Sequence, residues 1–479
     1  MAPARYMKVL DIALSRIRYP SVGGALSTSR MLVPLWTLLL VGLPVAAQSV
    51  EITQEIDANI RARIDNEYNV GIIVGVIDRN GKRYRAYGET VYGSGVPPNE
   101  NTVFEIGSIT KVFTSILLAD MVRSGEVQLD EPIEYSLPEG VTAPARNGHS
   151  ITLYNLATHT SGLPRLPSDF APADANNPYA DYTLDQMYDF LSSYTLTRDI
   201  GSRYEYSNYG VGLLGNLLAR HMGMQYEAAI LKRVVGVLGM EDTRITLSAD
   251  IKERLAPGHG GTIVVPNWDI PALAGAGALR STANDMLTFL AANTGLTATS
   301  LQAALEMTHE SRVETSSPSM LVGLGWHIRV TDELEIVWHN GGTGGYRSFI
   351  GFVRGGPAGV VVLTNSNRSV DDIGFHLLDP EFPLWQPRVA MDVDPAILQQ
   401  YEGQYELASR LVFDVRLVDG RLTAQLTGQQ RFPLYAESDS DFFYTVVDAQ
   451  ITFERNDTGE VVGLVLHQGG RDQLATKKK

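Results

Sequence analysis

The sequence predicts an α+β fold: an antiparallel sheet flanked by helices, with a helical lobe inserted into it, followed by a small all-β domain. Three observations predict it. Strand-like segments occur near residue 75 and again between 323 and 366, with a helix-rich section punctuated by Gly and Pro between them. The later strands are separated by short turns, the pattern of an antiparallel meander. After the proline-rich PEFPLWQP at 380–387, only short alternating strands remain.

The elements follow in order. From Glu51 to Asn66, Ile52, Ile56 and Ile60 recur at four-residue spacing, which predicts a helix. VGIIVGVIDRNGKRYRAYG at 70–88 places two strand runs around Asn80-Gly81, a two-residue hairpin signal. FEIGSITKVFTS at 104–115 opens a helix whose spacing continues through Ile116, Leu117 and Met121 and stops at Gly125. GLGWHIRV, ELEIVWHNGG, YRSFIGFV and AGVVVLTNS then supply strands between 323 and 366. One sheet is therefore built from both ends of residues 50–379, with helices between. Residues 380–395 read as a linker. Residues 396–479 read as a separate β domain: Phe413, Val415 and Leu417 alternate, Asp419-Gly420 turns, and Leu422, Ala424 and Leu426 resume. Phe442–Tyr444, Ile451–Phe453 and Val462–Leu466 continue the strand signals, and the final lysines read as a solvated tail.

Composition narrows the function. A net charge of -15 argues against nucleic acid as a partner. With no cysteine there is no disulfide, thiol nucleophile or thiolate-bound metal. The nine histidines are scattered without metal-binding spacing, so no metal or cofactor is expected. Near the N-terminus, Arg30 precedes an apolar run that ends at Val45-Ala46-Ala47, which reads as a secretory signal peptide cut after Ala47. A membrane anchor is the competing reading, but the run carries Pro34 and Pro44 and is shorter than the ~20 residues a span prefers. Residues 1–29 are basic and unpatterned, an extended leader or translation ahead of a start at Met31. The mature protein is expected to be exported, periplasmic or secreted. No pattern specifies an oligomer.

Three stretches carry chemistry. Ser108 and Lys111 stand three apart, on one face of the predicted helix start. A serine there sits over free N–H groups and the positive helix end, and a desolvated lysine can take its proton. The bland alternative is a capping serine and a solvated lysine. In RYEYSNYG, Tyr206 can shuttle a proton and the Asn208 amide can hold a substrate amide. The alternative there is a turn with Asn208 as N-cap. In WHNGGTGGY, His339 ends a predicted strand and Gly341 and Gly342 allow a substrate backbone close approach. A backbone N–H from that edge, with the N–H of Ser108, would form an oxyanion hole. A tight hairpin with a surface histidine is the alternative. His221, His259 and His467 also precede a residue and a glycine, but fall in a helix, a loop and the C-terminal domain.

Taken together, S-x-x-K, then Tyr206-Ser207-Asn208, then a basic residue-x-Gly on a late strand, resemble the penicillin-recognising serine hydrolases. The tyrosine version is similar to class C β-lactamases and their D-alanyl-D-alanine carboxypeptidase relatives. LYNLATHTSGLP at 153–164 and GALRSTANDMLTFL at 277–290 also look like that family, and the resemblance covers about residues 55–375. It implies the β-lactamase/transpeptidase-like fold. It implies Ser108 as nucleophile, Lys111 as base and Tyr206 as proton relay. Asn208 would hold the substrate amide and Gly342 N–H would be the second oxyanion donor. His339 stands where the β-lactamase pattern has lysine, to bind a carboxylate or tune Tyr206. A histidine there is more similar to D,D-peptidases and D-aminopeptidases. The C-terminal segment looks like the small β-barrel domain fused to some of these enzymes. The expected substrate is a small molecule or peptide, a β-lactam or a D-amino-acid-terminated peptide, hydrolysed through an acyl-enzyme. A carboxylesterase or amidase on the same scaffold and a non-catalytic penicillin-binding sensor are the alternatives.

Overall fold

The computed structural model describes residues 50–386, 388, 390–408, 411–444, 449–468 and 471–478. The expected signal peptide and basic leader lie outside these residues. Helix α1 spans Gln54–Asp65, and its N-cap Thr53 accepts the Ile56 N–H at 3.3 Å. Strands β1 (Gly71–Asp78) and β2 (Gly81–Gly88) form the expected hairpin. Its loop sits one residue earlier than Asn80-Gly81 implies, because Asp78 pairs with Gly81. The Asp78 carboxylate accepts the Asn80 N–H at 2.7 Å, an Asx turn that moves Gly81 into the strand.

The returning strands are β3 (Val313–Glu314), β4 (Met320–Val322), β5 (His327–Val330), β6 (Glu335–Gly342), β7 (Arg347–Val353) and β8 (Gly359–Thr364). The sheet order is β2-β1-β8-β7-β6-β5-β4-β3, every pairing antiparallel. Both faces are covered, which explains why β1 reads as an unbroken apolar run. Ile72, Val74 and Val76 face Ile56 and Ile60 of α1 and Ile373 of a helix near the end of this unit. Ile73 and Ile77 face the inserted lobe. That lobe holds α2 (Thr110–Arg123), α3 (Asn208–His221) and α4 (Ala283–Asn293), and α5 (Asp371–Leu378) closes the outer face.

A two-stranded ribbon, Val103–Glu105 against Arg280–Thr282, ties the start of α2 to the segment before α4. The helix ends where Gly125 adopts φ 75°. His259 lies in a short strand, Gly258–Gly260, rather than a free loop.

The C-terminal strands are β9 (Gly403–Ala408), β10 (Leu411–Val418), β11 (Arg421–Leu426), β12 (Arg431–Pro433), β13 (Tyr435–Ala436), β14 (Asp441–Phe443), β15 (Ala449–Arg455), β16 (Val461–Gln468) and β17 (Arg471–Lys477). Their order, β12-β11-β10-β9-β17-β16-β15-β14-β13, is that of a nearly closed barrel, its two free ends adjacent in sequence. Tyr405, Phe413, Ile451 and Leu464 fill its interior. The proline-rich segment is not loose at its start: Trp385 stacks on Tyr68 with centroids 4.1 Å apart and donates its N–H to Asp372 at 2.7 Å. No helix among the described residues is long and apolar enough to cross a membrane.

Gly374 lets α5 lie directly on the Phe349 ring; a Cβ there would overlap the ring carbons. Gly374→Ala is expected to lower stability by about 1–3 kcal/mol through overpacking, less the roughly 1 kcal/mol alanine adds to a helix. A thermal midpoint at or above that of the wild type would contradict this packing.

Candidate active site

Ser108 sits in a single 3₁₀ turn, Gly107–Ile109, immediately before α2. It is therefore not the cap of a regular helix, as the bland alternative had it. Gly107 takes φ 51°, and a Cβ on it would stand 2.6 Å from Gly342 N. Gly341 is likewise buried against the Ile106 carbonyl, where no side chain fits. The two glycines let the end of β6 run alongside the serine turn. Gly341 thus serves a backbone approach between β6 and the serine turn. Strand β6 continues three residues past His339, and its pairing with β5 ends at Trp338. The stretch from His339 to Gly342 is therefore unpaired on the β5 side.

Lys111 is fully buried, its Nζ 3.0 Å from Ser108 Oγ and 2.6 Å from the Ala276 carbonyl. Burial holds its amine well below the ordinary lysine range, and the Arg165 charge adds to the effect. A neutral amine can donate to Ala276 and direct its lone pair at the serine hydroxyl. That is the hydrogen-bond direction a base requires.

Tyr206 comes to the same point, its ring centroid 4.8 Å from Lys111 Nζ. Burial pushes its phenol up to about 12, opposed by the Ser108 hydroxyl and the Arg165 charge. Three imidazoles surround it. His159 stacks on it at 4.5 Å, and His327 and His339 stand 6.1 and 6.4 Å away and stack on each other at 4.8 Å. The Ser207 N–H donates to His159 Nδ1 at 3.0 Å, and Tyr204 hydroxyl lies 3.1 Å from His327 Nε2. His339 Nδ1 is 2.6 Å from the Asn340 carbonyl, so it carries the proton and Nε2 is a buried acceptor without a partner. Burial drives His159 and His339 well below the usual imidazole range and His327 to about 4. These rings are neutral at working pH. They stack rather than converge, and no metal-binding cluster occurs among the described residues.

Asn208 begins α3, but Ser207 caps it, accepting the Gly210 N–H at 2.8 Å. The Asn208 amide is thereby free to face the pocket. Its Nδ2 lies 3.4 Å from the Tyr179 hydroxyl, and its Oδ1 is buried without a partner. Ser108, Asn208 and Gly342 line one pocket together with Tyr179, Trp268 and Thr343. Sequence reasoning singled out the first three and missed the rest. His159 lies within a stretch that resembles the family, but nothing in its spacing signals that it stacks on Tyr206. His327 reads only as a strand residue.

If Lys111 is the base, kcat/KM falls on the acid side as the amine gains a proton. Because burial favours the neutral form, that limb lies below the ordinary lysine range. Lys111→Arg, permanently charged, is expected to slow acylation by about 10²–10⁴-fold. An acylation rate and acid limb like those of the wild type would remove Lys111 from this role.

Comparison with known proteins agrees with this geometry. A family profile described as Beta-lactamase matches residues 56–376, and one described as Domain of unknown function (DUF3471) matches residues 387–477. The chain is 32% identical over 311 residues to the D-alanyl-D-alanine-carboxypeptidase/endopeptidase AmpH of Escherichia coli (strain K12), covering 62% of this chain and 80% of that protein. It is 29% identical over 287 residues to a Beta-lactamase of Providencia stuartii, covering 58% and 71%. Among solved structures, a Beta-lactamase/D-alanine Carboxypeptidase from Yersinia pestis superposes with a TM-score of 0.57 at 28% identity, covering 63% of this chain and 89% of that one. A class C beta lactamase from Rhodobacter sphaeroides gives 0.57 at 27% identity, covering 66% and 95%. A serine at a buried lysine, on this fold and with these relatives, identifies the chain as a member of the Beta-lactamase family, a serine hydrolase of the class C β-lactamase and D,D-peptidase kind.

Proposed function

We propose that this enzyme is exported and hydrolyses β-lactams or peptides ending in D-amino acids through an acyl-enzyme on Ser108. The observation that carries the reading is the 3.0 Å contact between Ser108 Oγ and a Lys111 amine that burial keeps neutral. Lys111 takes the serine proton as Oγ attacks the carbonyl carbon. The N–H groups of Ser108 and Gly342 receive the developing oxyanion, a donor of this kind contributing about 3–4 kcal/mol in the transition state. Tyr206 passes the proton to the leaving nitrogen, and water then releases the acyl group. Asn208 holds the substrate amide. Of the two roles open to His339, tuning Tyr206 is better supported than binding a carboxylate, because the ring is 1% exposed and neutral. Residues 50–379 form the hydrolase, 380–395 the connection and 396–479 an accessory β unit. The esterase and sensor readings have less support, since the named relatives are peptidases and β-lactamases.

Intact mass followed over time with a penicillin, beside Ser108→Ala, tests the proposal. A transient adduct on the wild type alone, with product appearing, supports β-lactamase activity. A long-lived adduct on the wild type alone supports the peptidase arm, to be checked with D-Ala-D-Ala peptides. No adduct and no product with either substrate class would sink the proposal.

A further inference from the structure

We propose that Arg165 selects substrates carrying an anionic group on the acyl side of the scissile bond, the side held by Asn208. The inference rests on the acyl-enzyme reading above and names the substrate chemistry it favours. Arg165 is exposed, in the turn that follows Gly162-Leu163-Pro164. Its guanidinium carbon lies 5.1 Å from the Tyr206 ring centroid, a cation–π stack one tyrosine ring away from Ser108. Its carbonyl accepts the N–H groups of both Asn208 and Tyr209 at 3.1 Å. The cation is thereby anchored at the start of α3, beside the amide that is to hold the substrate.

No carboxylate stands within ion-pair distance of Arg165 among the described residues. Other arginines differ: Arg198 and Arg203 in a loop and Arg280 in the ribbon strand each meet a glutamate, at 3.3, 3.1 and 3.2 Å. On the opposite side of the pocket, Arg347 commits Nη1 to the carbonyls of Thr343 and Tyr346 at 2.8 and 2.7 Å and faces Asp371. The three imidazoles are held below their usual range, and burial disfavours a charge on Lys111. A guanidinium without a carboxylate partner therefore stands on the Asn208 side, in a chain whose net charge of -15 otherwise repels anions. A ring-stacked guanidinium keeps its N–H edge open, and that edge matches a carboxylate in bidentate fashion.

The test uses D-alanyl thioesters that differ only in the N-cap, succinyl or acetyl, and a third with the acetyl cap and a carboxylate on the leaving thiol. The quantity read is the ratio of kcat/KM for succinyl over acetyl in wild type, Arg165→Lys and Arg165→Glu. The wild type is expected to favour succinyl. Arg165→Glu should lower the ratio by about tenfold or more, the scale of one hydrogen bond to a charged group, with Arg165→Lys between. A ratio unchanged within about twofold, or an effect confined to the carboxylated leaving group, overturns the assignment. A fluorophosphonate probe read by peptide mass separates the two levels of failure. Labelling at Ser108 with an unchanged ratio refutes only the role of Arg165, whereas no labelling at Ser108 refutes the acyl-enzyme reading beneath it.

Discussion

Lys111 is wholly enclosed, with the Ala276 carbonyl at 2.6 Å and no carboxylate within ion-pairing distance among the described residues. An ammonium in that position would carry a desolvation cost of several kcal/mol that one carbonyl and one hydroxyl offset only in part. The inexpensive response is to give up the proton. The site depends on this one constraint. It is maintained largely by packing: the α2 segment from Thr110 to Ala119 is buried throughout, against the helix Gln302–His309, α3 and the segment before α4. A chemical property, an amine that gives up its proton more readily than an ordinary lysine, thus follows from how tightly apolar residues close around one helix.

The surroundings of Tyr206 follow the same logic. Family members of the β-lactamase pattern are expected to place a lysine where this chain has His339. Here the position is filled by a buried ring that stacks on a second imidazole and stays uncharged. The positive charge near the phenol comes instead from Arg165, outside the core and open to solvent. The site therefore has an interior in which burial disfavours charge and a cation at its rim. This division lets a charge act on an incoming molecule without a buried ion having to be stabilised.

What was legible in the sequence has a physical pattern. The β1–β2 hairpin, the meander from β5 to β8 and the alternating barrel strands were readable because their burial follows local periodicity. Ser108, Lys111, Tyr206 and Asn208 were readable because they occur in short spaced groups. At Gly341 the sequence shows that a close approach is allowed but not what approaches; in the structure the Ile106 carbonyl does. The stacking of His159 on Tyr206 and of His327 on His339 joins residues from separate segments, and no local pattern encodes such contacts. The capping role fell to Ser207 rather than Asn208 because Ser207 is the last extended residue and Asn208 is already helical.

The sheet joins a hairpin near the start of the described chain to β8, with Ile72 opposite Thr364. Between these partners lies nearly the whole helical lobe. Closing the sheet must therefore await synthesis of its last strand, and the long loop it closes makes folding slow by topology. The end of β6 reaches the serine turn only once the strands that follow the lobe have been made. On the acyl-enzyme proposal, Ser108 would lack one of its two oxyanion donors until that strand is in place.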